Sequence, residues 1–301
     1  MKKTFRRILS AVLIAVMLFC CIPMSALAKT SKAKYTVPKE LMSVMKEIPR
    51  KYHFAVGWGL YDISGDGPKE VASRHANILY SSNCTIKAPL LMYICRLMDE
   101  GKLSLTDELY VEQAKIRRKD FPKADGYYPL DYLLERMITV SNSACYEVVL
   151  HKVGLTNFNR FLHSLGSGTT LTSYSYKGDC TVANRAKEWY AIYKYCHSGA
   201  KHASYAWKLF CNAWYSPIRD GIGRPAAHKS GWYRSDIVPG TAADCAVVST
   251  PNGGCYLLVV LTRSNVSGEY SPELISDMAV AADKIWDNYY AAQTDKPYAK
   301  F

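Results

Sequence analysis

The ten cysteines of this 301-residue chain include no Cys-x-x-Cys pair, which argues against a zinc ribbon or a dithiol redox centre. Lysine and arginine nowhere form a run long enough for a dedicated basic patch, and no internal repeat or low-complexity segment interrupts the chain. We therefore expect neither a metal or other cofactor nor nucleic acid as a partner.

The first apolar run of the chain is too short to span a membrane. It covers residues 8–22, fewer than the roughly 20 residues of a spanning helix. Four basic residues precede it, and Ala26-Leu27-Ala28 follows in the pattern of a signal-peptidase site. We predict that residues 1–28 are a cleaved signal peptide and that residues 29–301 form a secreted or extracytoplasmic domain. An uncleaved membrane anchor is the alternative.

The predicted mature chain is basic and contains eight cysteines. Loss of four basic and no acidic residues lowers the net charge from +12 to +8. Such a charge suits an anionic cell wall or lipid surface, although a basic chain without such a partner is equally compatible. Export makes some disulfides plausible, and Cys145 is a possible partner for the helix after residue 84. If Cys84 is a free thiol, at least one of the other seven is also unpaired.

Periodicity predicts strands at both ends of the chain around a helical middle. The predicted strands are 54–63, 71–80, 227–233, 241–249 and 256–262, and the predicted helices are 41–48, 85–101, 130–139, 144–153, 182–196, 205–214 and 271–290. This order implies an α/β fold in which one sheet is built from both termini. We place the α/β lobe at about 36–82 and 223–293, an inserted all-helical lobe at about 83–222, and the functional cleft between them.

The first candidate site is Cys84-Thr85-Ile86-Lys87. On a helix that starts near residue 84, positions i and i+3 share a face, so Cys84 and Lys87 are neighbours. An amine beside a thiol can remove its proton, and a helix N-terminus favours the thiolate. On its own, this pattern is more typical of a buried structural cysteine beside an exposed lysine.

Two further motifs change that interpretation. Ser141-Asn142-Ser143 follows an apolar helix end, where a serine alone is typical of a helix cap. Lys229-Ser230-Gly231 falls on a predicted edge strand, where the lysine and hydroxyl suit an anionic group and the glycine permits a close approach.

In order and approximate spacing, these motifs resemble the three motifs of class A β-lactamases and related penicillin-binding proteins. The resemblance includes the neighbouring stretches Met98–Leu105, Met137–Ala144 and His228–Trp232, and it covers essentially the whole mature chain. It implies the β-lactamase/transpeptidase fold and a covalent acyl-enzyme mechanism.

The resemblance also implies roles for individual residues. Cys84 stands at the acylated serine, Lys87 at its general base or proton shuttle, and Ser141 at the donor of a proton to the leaving nitrogen. Ser143 stands where an amide contacts the substrate, and Lys229 and Ser230 would hold the substrate carboxylate beside Gly231. The backbone N–H groups of Cys84 and Trp232 would form the oxyanion hole.

Three departures from the family pattern bear on turnover. Sulfur at Cys84 is larger than oxygen but more nucleophilic, so the site is either inactivated or adapted to thiol acylation. Ser143 replaces the usual amide, and we expect its hydroxyl to be too short to span the same gap. No glutamate lies between Glu147 and Glu188 to activate a hydrolytic water, and the only carboxylate there, Asp179, is expected to anchor the loop.

We therefore expect a monomeric, exported acyl hydrolase that acts on β-lactams or D-alanine-containing peptidoglycan stem peptides and deacylates poorly. The first alternative is a pseudoenzyme that binds peptidoglycan fragments or a protein partner in the same cleft. The second is a conventional β-lactamase with an unrecognised residue that activates water.

Overall fold

A computed structural model of the chain describes residues 35–112, 125–173, 178–293 and 299–301. Its internal contacts divide the chain into Met1–Thr36 and Val37–Phe301. Only residues 35 and 36 of the first unit are described, so the predicted signal peptide lies outside the described residues. Across the described ranges, no helix combines the length and the apolar character needed to cross a membrane.

The unit Val37–Phe301 contains an antiparallel sheet with strand order β2-β1-β9-β8-β7, and a short β10 pairs with β9. The strands are β1 Phe54–Asp62, β2 Lys69–Arg74, β7 Ala226–Ser235, β8 Val238–Ser249, β9 Gly254–Ser267 and β10 Ala299–Lys300. Strands from both ends of the chain meet in this sheet, which confirms the predicted fold class. Strand β7, which carries Lys229, lies at one end of this strand order.

Helices cover both faces of the sheet, and this explains the continuous apolar run of β9. Leu257 and Val259 belong to the core shared with the helices of the middle of the chain. Leu258 and Val260 are equally buried but lie outside that core. Helices α1 (Lys39–Tyr52) and α9 (Pro272–Ala291) contact each other and the sheet.

The segment between the first and second halves of the sheet is mostly helical, but it is not the all-helical lobe that was predicted at about 83–222. Its helices are α2 Lys87–Asp99, α3 Leu130–Thr139, α4 Ser143–Val153, α5 Leu155–Ser164, α6 Val182–Cys196, α7 Ala203–Cys211 and α8 Pro217–Ile222. Two short antiparallel pairs interrupt them. Strand β3 (Tyr80–Ser81) pairs with β6 (Asp179–Cys180), and β4 (Glu108–Val111) pairs with β5 (Gly126–Pro129).

The structure corrects several predicted boundaries. The second strand ends at Arg74 rather than continuing to residue 80, because His75 adopts a left-handed φ of 53°. Gly154 ends α4 as predicted, with φ 81°, but α5 begins at the next residue and was missed. Helix α8 was missed as well, although Ser216-Pro217 gives it the same start signal as the predicted final helix.

Candidate active site

Cys84 lies in a 3₁₀ turn, Asn83–Ile86, that leads directly into α2. The predicted α-helix therefore begins three residues later than Cys84, at Lys87. The prediction that Cys84 and Lys87 are neighbours holds, because side chains at i and i+3 of a 3₁₀ turn are eclipsed. The Cys84 side chain is 9% exposed and that of Lys87 is fully buried.

Asn83 fixes the backbone that presents Cys84. It adopts φ 46°, a left-handed conformation that asparagine tolerates better than most residues. Its side-chain oxygen accepts hydrogen bonds from the hydroxyls of Thr241 on β8 and Ser81 on β3. The turn that carries the thiol is thus held against two strands.

The Lys87 ammonium joins the first motif to the second. Its Nζ donates to the Ser141 carbonyl oxygen at 2.5 Å and to the Ser143 Oγ at 3.2 Å. The sequence analysis predicts a Ser143 hydroxyl that is too short to span this gap. That prediction is wrong with respect to Lys87, which the hydroxyl contacts directly. Ser143 is the first residue of α4, and the long side chain of Lys87 extends to its hydroxyl.

Ser141 does not cap α4, contrary to its interpretation as an isolated serine. Asn142 is the cap, since its side-chain oxygen accepts from the Cys145 N–H at 2.8 Å. Ser141 instead adopts φ 57°, a costly backbone conformation for serine. Its Oγ accepts from Lys229 Nζ at 2.8 Å and from Lys87 Nζ at 3.4 Å. The strained serine thereby joins all three motifs.

Strand β7 brings the third motif against the thiol. A Cβ atom added at Gly231 would lie 2.4 Å from the Cys84 backbone nitrogen and 2.7 Å from its Cβ. Only glycine fits this contact, as the sequence predicts for a close approach. Ser230 lies on the same strand, and its hydroxyl donates to the Tyr215 carbonyl at 2.7 Å. Trp232 follows, partly buried.

The charges around Cys84 stabilise a thiolate. Burial raises the pKa of the thiol, but Lys87, Lys229 and hydrogen bonds from Ser141 and Lys87 outweigh it and lower the pKa from 9.0 to about 7. Burial instead raises the pKa of other thiols in the chain: Cys95, Cys180, Cys196, Cys211, Cys245 and Cys255. The electrostatics thus single out Cys84 from these buried cysteines.

The same cluster of charges also shifts the pKa of Lys229. Burial and the repulsion from Lys87 lower its pKa to about 8, against the attraction of Cys84 and Asp244. Asp244 lies on β8, paired in register with Ser230, and is fully buried. Its Oδ2 accepts from the Ser216 hydroxyl at 2.6 Å and the Ile218 N–H at 3.1 Å, which ties the start of α8 to β8.

Asp179 and Glu188, the two carboxylates of residues 148–188, lie in different surroundings. Asp179 is exposed, and its backbone pairs with Ser81 in the β3–β6 pair. Glu188 is fully buried and forms an ion pair with Arg185 while accepting from the Ser167 hydroxyl at 2.5 Å. The Glu188 carboxylate is therefore engaged in structural contacts, whereas the Asp179 carboxylate is exposed.

None of the eight cysteines between residues 84 and 255, all of which lie in the described ranges, forms a disulfide. The disulfides that export made plausible are not formed, including one at Cys145. Within the described ranges, no group of three or more histidine, cysteine or acidic side chains is placed to hold a metal ion.

Several residues of this region were not predicted from sequence. Tyr146 is one turn beyond Ser143 on α4, and the charge of Cys84 acts on its phenol, which is fully buried. Its hydroxyl has no hydrogen-bond partner among the described residues. The spacing of three from Ser143 was an available signal for this placement. Asp244 gave no local signal, because its partners are 26 and 28 residues away.

This fold and the convergence of the three motifs define the class of the serine β-lactamases and penicillin-binding proteins. The model of the beta-lactamase enzyme family matches residues 36–289. The chain belongs to that family. Beta-lactamase BRO-1 of Moraxella catarrhalis is 27% identical over 147 residues, which span 45% of each of the two chains. The match thus covers less than half of that relative's length.

Solved structures of the same class share the fold. PBP-A superposes with a TM-score of 0.70 at 16% identity, covering 84% of this chain and 100% of the other. A PBP-A mutant in an acyl-enzyme complex with penicillin G gives 0.70 at 15% identity, covering 83% and 97%. A class A beta-lactamase from Bacteroides cellulosilyticus gives 0.68 at 17% identity, covering 85% and 100%.

Proposed function

We propose that this protein is a penicillin-binding-type acyl hydrolase that forms a thioester at Cys84. The observation that carries the proposal is the pairing of a thiol whose pKa is lowered to about 7 with two buried lysines that share hydrogen bonds to Ser141. A buried structural cysteine requires no such cluster. Burying two ammonium groups costs free energy, and this cost indicates that their charges serve a function.

The covalent step follows from these contacts. The Cys84 thiolate attacks the carbonyl carbon of a β-lactam or of a D-alanine-containing stem peptide, and the oxyanion is held by the backbone N–H groups of Cys84 and Trp232. The carbon–sulfur bond forms as the carbonyl–nitrogen bond breaks. Ser141 gives its proton to the leaving nitrogen and regains one from Lys87.

Release of the acyl group is the slow step in this proposal. Hydrolysis requires a water molecule to attack the thioester carbonyl and transfer a proton to a base. Glu188 is ion-paired with Arg185, and Asp179 is exposed rather than held inside the cluster of buried lysines, so we assign this task to neither. We infer a persistent acyl-enzyme rather than efficient β-lactam hydrolysis.

The cellular setting proposed here rests on the sequence. The predicted signal peptide at residues 1–28 would export the protein, and a net charge of +8 for the remainder would favour an anionic cell wall. Stem peptides would be the natural substrates there, and we propose a monomer. Because neither Asp179 nor Glu188 is assigned to activate water, one alternative is favoured, a pseudoenzyme that binds peptidoglycan fragments or a protein partner in the cleft without turnover.

Comparison of native protein with Cys84→Ser and Cys84→Ala separates these functions. The rates of acylation by benzylpenicillin and of product release are measured for each. We expect the native thiol to acylate faster than the serine variant, because its thiolate is stabilised, and the alanine variant to be inert. Acylation by the serine variant alone would identify a degenerate site and contradict the proposal.

A further inference from the structure

Four aromatic side chains form a continuous surface beside the third motif, which we call the aromatic platform: Trp214, Tyr215, Trp232 and Tyr270. The rings of Tyr215 and Trp232 meet edge to face at 5.5 Å, and Trp232 stacks on Tyr270 at 6.4 Å. Trp214 lies 6.2 Å from Trp232 and is 58% exposed. An exposed indole beside a candidate active site is an unused stacking surface.

The platform is fixed to the site at two points. The backbone N–H of Trp214 donates to the carbonyl oxygen of Thr139 at 2.9 Å, and Thr139 lies two residues before Ser141. The Tyr215 carbonyl accepts the Ser230 hydroxyl at 2.7 Å. The platform thus adjoins the end of the site where Lys229 and Ser230 would hold the substrate carboxylate.

The backbone beneath the platform is also held rigidly. The Arg219 guanidinium donates to the carbonyl oxygens of Ala213 and Trp214, each at 3.0 Å. Asp244 holds Ser216 and Ile218 from below. A surface that is held in place in the free protein loses little conformational entropy on binding, so stacking on it contributes to affinity.

We propose that the aromatic platform is a subsite for an aromatic side chain on the carboxylate-bearing residue of the substrate. This inference rests on the proposed function, since it uses the carboxylate site at Lys229 and Ser230. The methyl group of a terminal D-alanine is too small to cover the indole of Trp214, whereas a phenyl ring can stack on it. The preferred leaving group is therefore a terminal D-amino acid with an aromatic side chain.

The test compares N-acetyl-D-alanyl-D-phenylalanine with N-acetyl-D-alanyl-D-alanine by calorimetry. Binding is measured to the Cys84→Ala protein, so that no acylation occurs, with and without a second substitution. We expect about tenfold tighter binding of the aromatic dipeptide. The preference should disappear in Trp214→Ala and return in Trp214→Phe. Tyr52→Ala, which removes an aromatic ring from α1, is the matched control and should retain it.

The outcomes separate this inference from the proposed chemistry. Equal affinity for the two dipeptides, or no binding of either, overturns the subsite whatever the penicillin result. A preference that survives Trp214→Ala also overturns it. If the native protein is not acylated by penicillin but the aromatic preference is present and depends on Trp214, the subsite stands and the acyl-enzyme proposal fails.

Discussion

Gly231 lies directly against the backbone of Cys84, where a Cβ atom would come within 2.4 Å of the Cys84 nitrogen. We expect Gly231→Ala to push β7 away from Cys84, because the contact is with backbone and not with a flexible side-chain end. Acylation by penicillin should fall at least about 100-fold, since even small misplacement of reacting groups costs that much.

Gly67→Ala is the control for that substitution. Gly67 has no heavy atom within 4 Å of its Cβ position and lies in the turn between β1 and β2. The acylation rate of the Gly67→Ala protein should match that of the native protein. A Gly231→Ala variant that acylates at the native rate would show that β7 and Cys84 do not need this contact.

The pKa values of Cys84 and Lys229 predict a bell-shaped pH profile for acylation by penicillin. The rate should rise as the thiol ionises near its pKa of about 7, and fall as Lys229 loses the charge that binds the carboxylate near its pKa of about 8. Stopped-flow or quenched measurements between pH 5 and 10 would give this profile.

A neutral alkylating agent provides the control for the pH profile. Iodoacetamide has no carboxylate, so its reaction with Cys84 should show the rise alone, without the fall. Protection of Cys84 by a bound carboxylate ligand would assign the signal to this residue. An inflection near 9, the ordinary pKa of a cysteine, would mean that the two lysines do not stabilise the thiolate.

The left-handed backbone of Ser141 predicts that glycine is more stable than alanine at this position. Both substitutions remove the hydroxyl that accepts from Lys87 and Lys229, so both should lose acylation. Only alanine keeps the steric cost of φ 57°, which is about 1 kcal/mol. Urea unfolding should therefore place Ser141→Gly above Ser141→Ala in free energy of unfolding.

At Ser43 we expect the opposite order of stability for the glycine and alanine variants, so this position is the control for backbone strain. It is an exposed residue inside helix α1, where glycine is less stable than alanine by about 1 kcal/mol. If the order at Ser141 were the same as at Ser43, the strain attributed to the second motif would be absent.

The resemblance to class A β-lactamases and penicillin-binding proteins predicts that the three motifs converge, and local patterns predict many of the elements that carry them. Cys84 and Lys87 are adjacent in any helical turn, and Pro251-Asn252-Gly253-Gly254 predicts the connection between β8 and β9. The bounds of α6 were predicted to the residue, since Thr181 caps one end. The bounds of an element such as α6, which depends on local signals of this kind, are the same in the structure as in the prediction.

The geometry within the site could not be predicted, because it depends on contacts between distant segments. The positive φ of Asn83 and Ser141 is imposed by neighbours such as Thr241, 158 residues from Asn83. The reach of Ser143 to Lys87 depends on how closely α2 and α4 pack. The spacing of residues along the sequence does not reveal the contact between Asn83 and Thr241 or that between Ser143 and Lys87.

The most direct test of the account is the intact mass of the reduced protein before and after incubation with benzylpenicillin. The account predicts a persistent adduct of the whole drug's mass, since ring opening releases no fragment, mapped to Cys84 and absent from Cys84→Ala. An unmodified mass, with Cys84 free and reactive toward iodoacetamide, would contradict the acyl-enzyme and leave a binding role for the cleft.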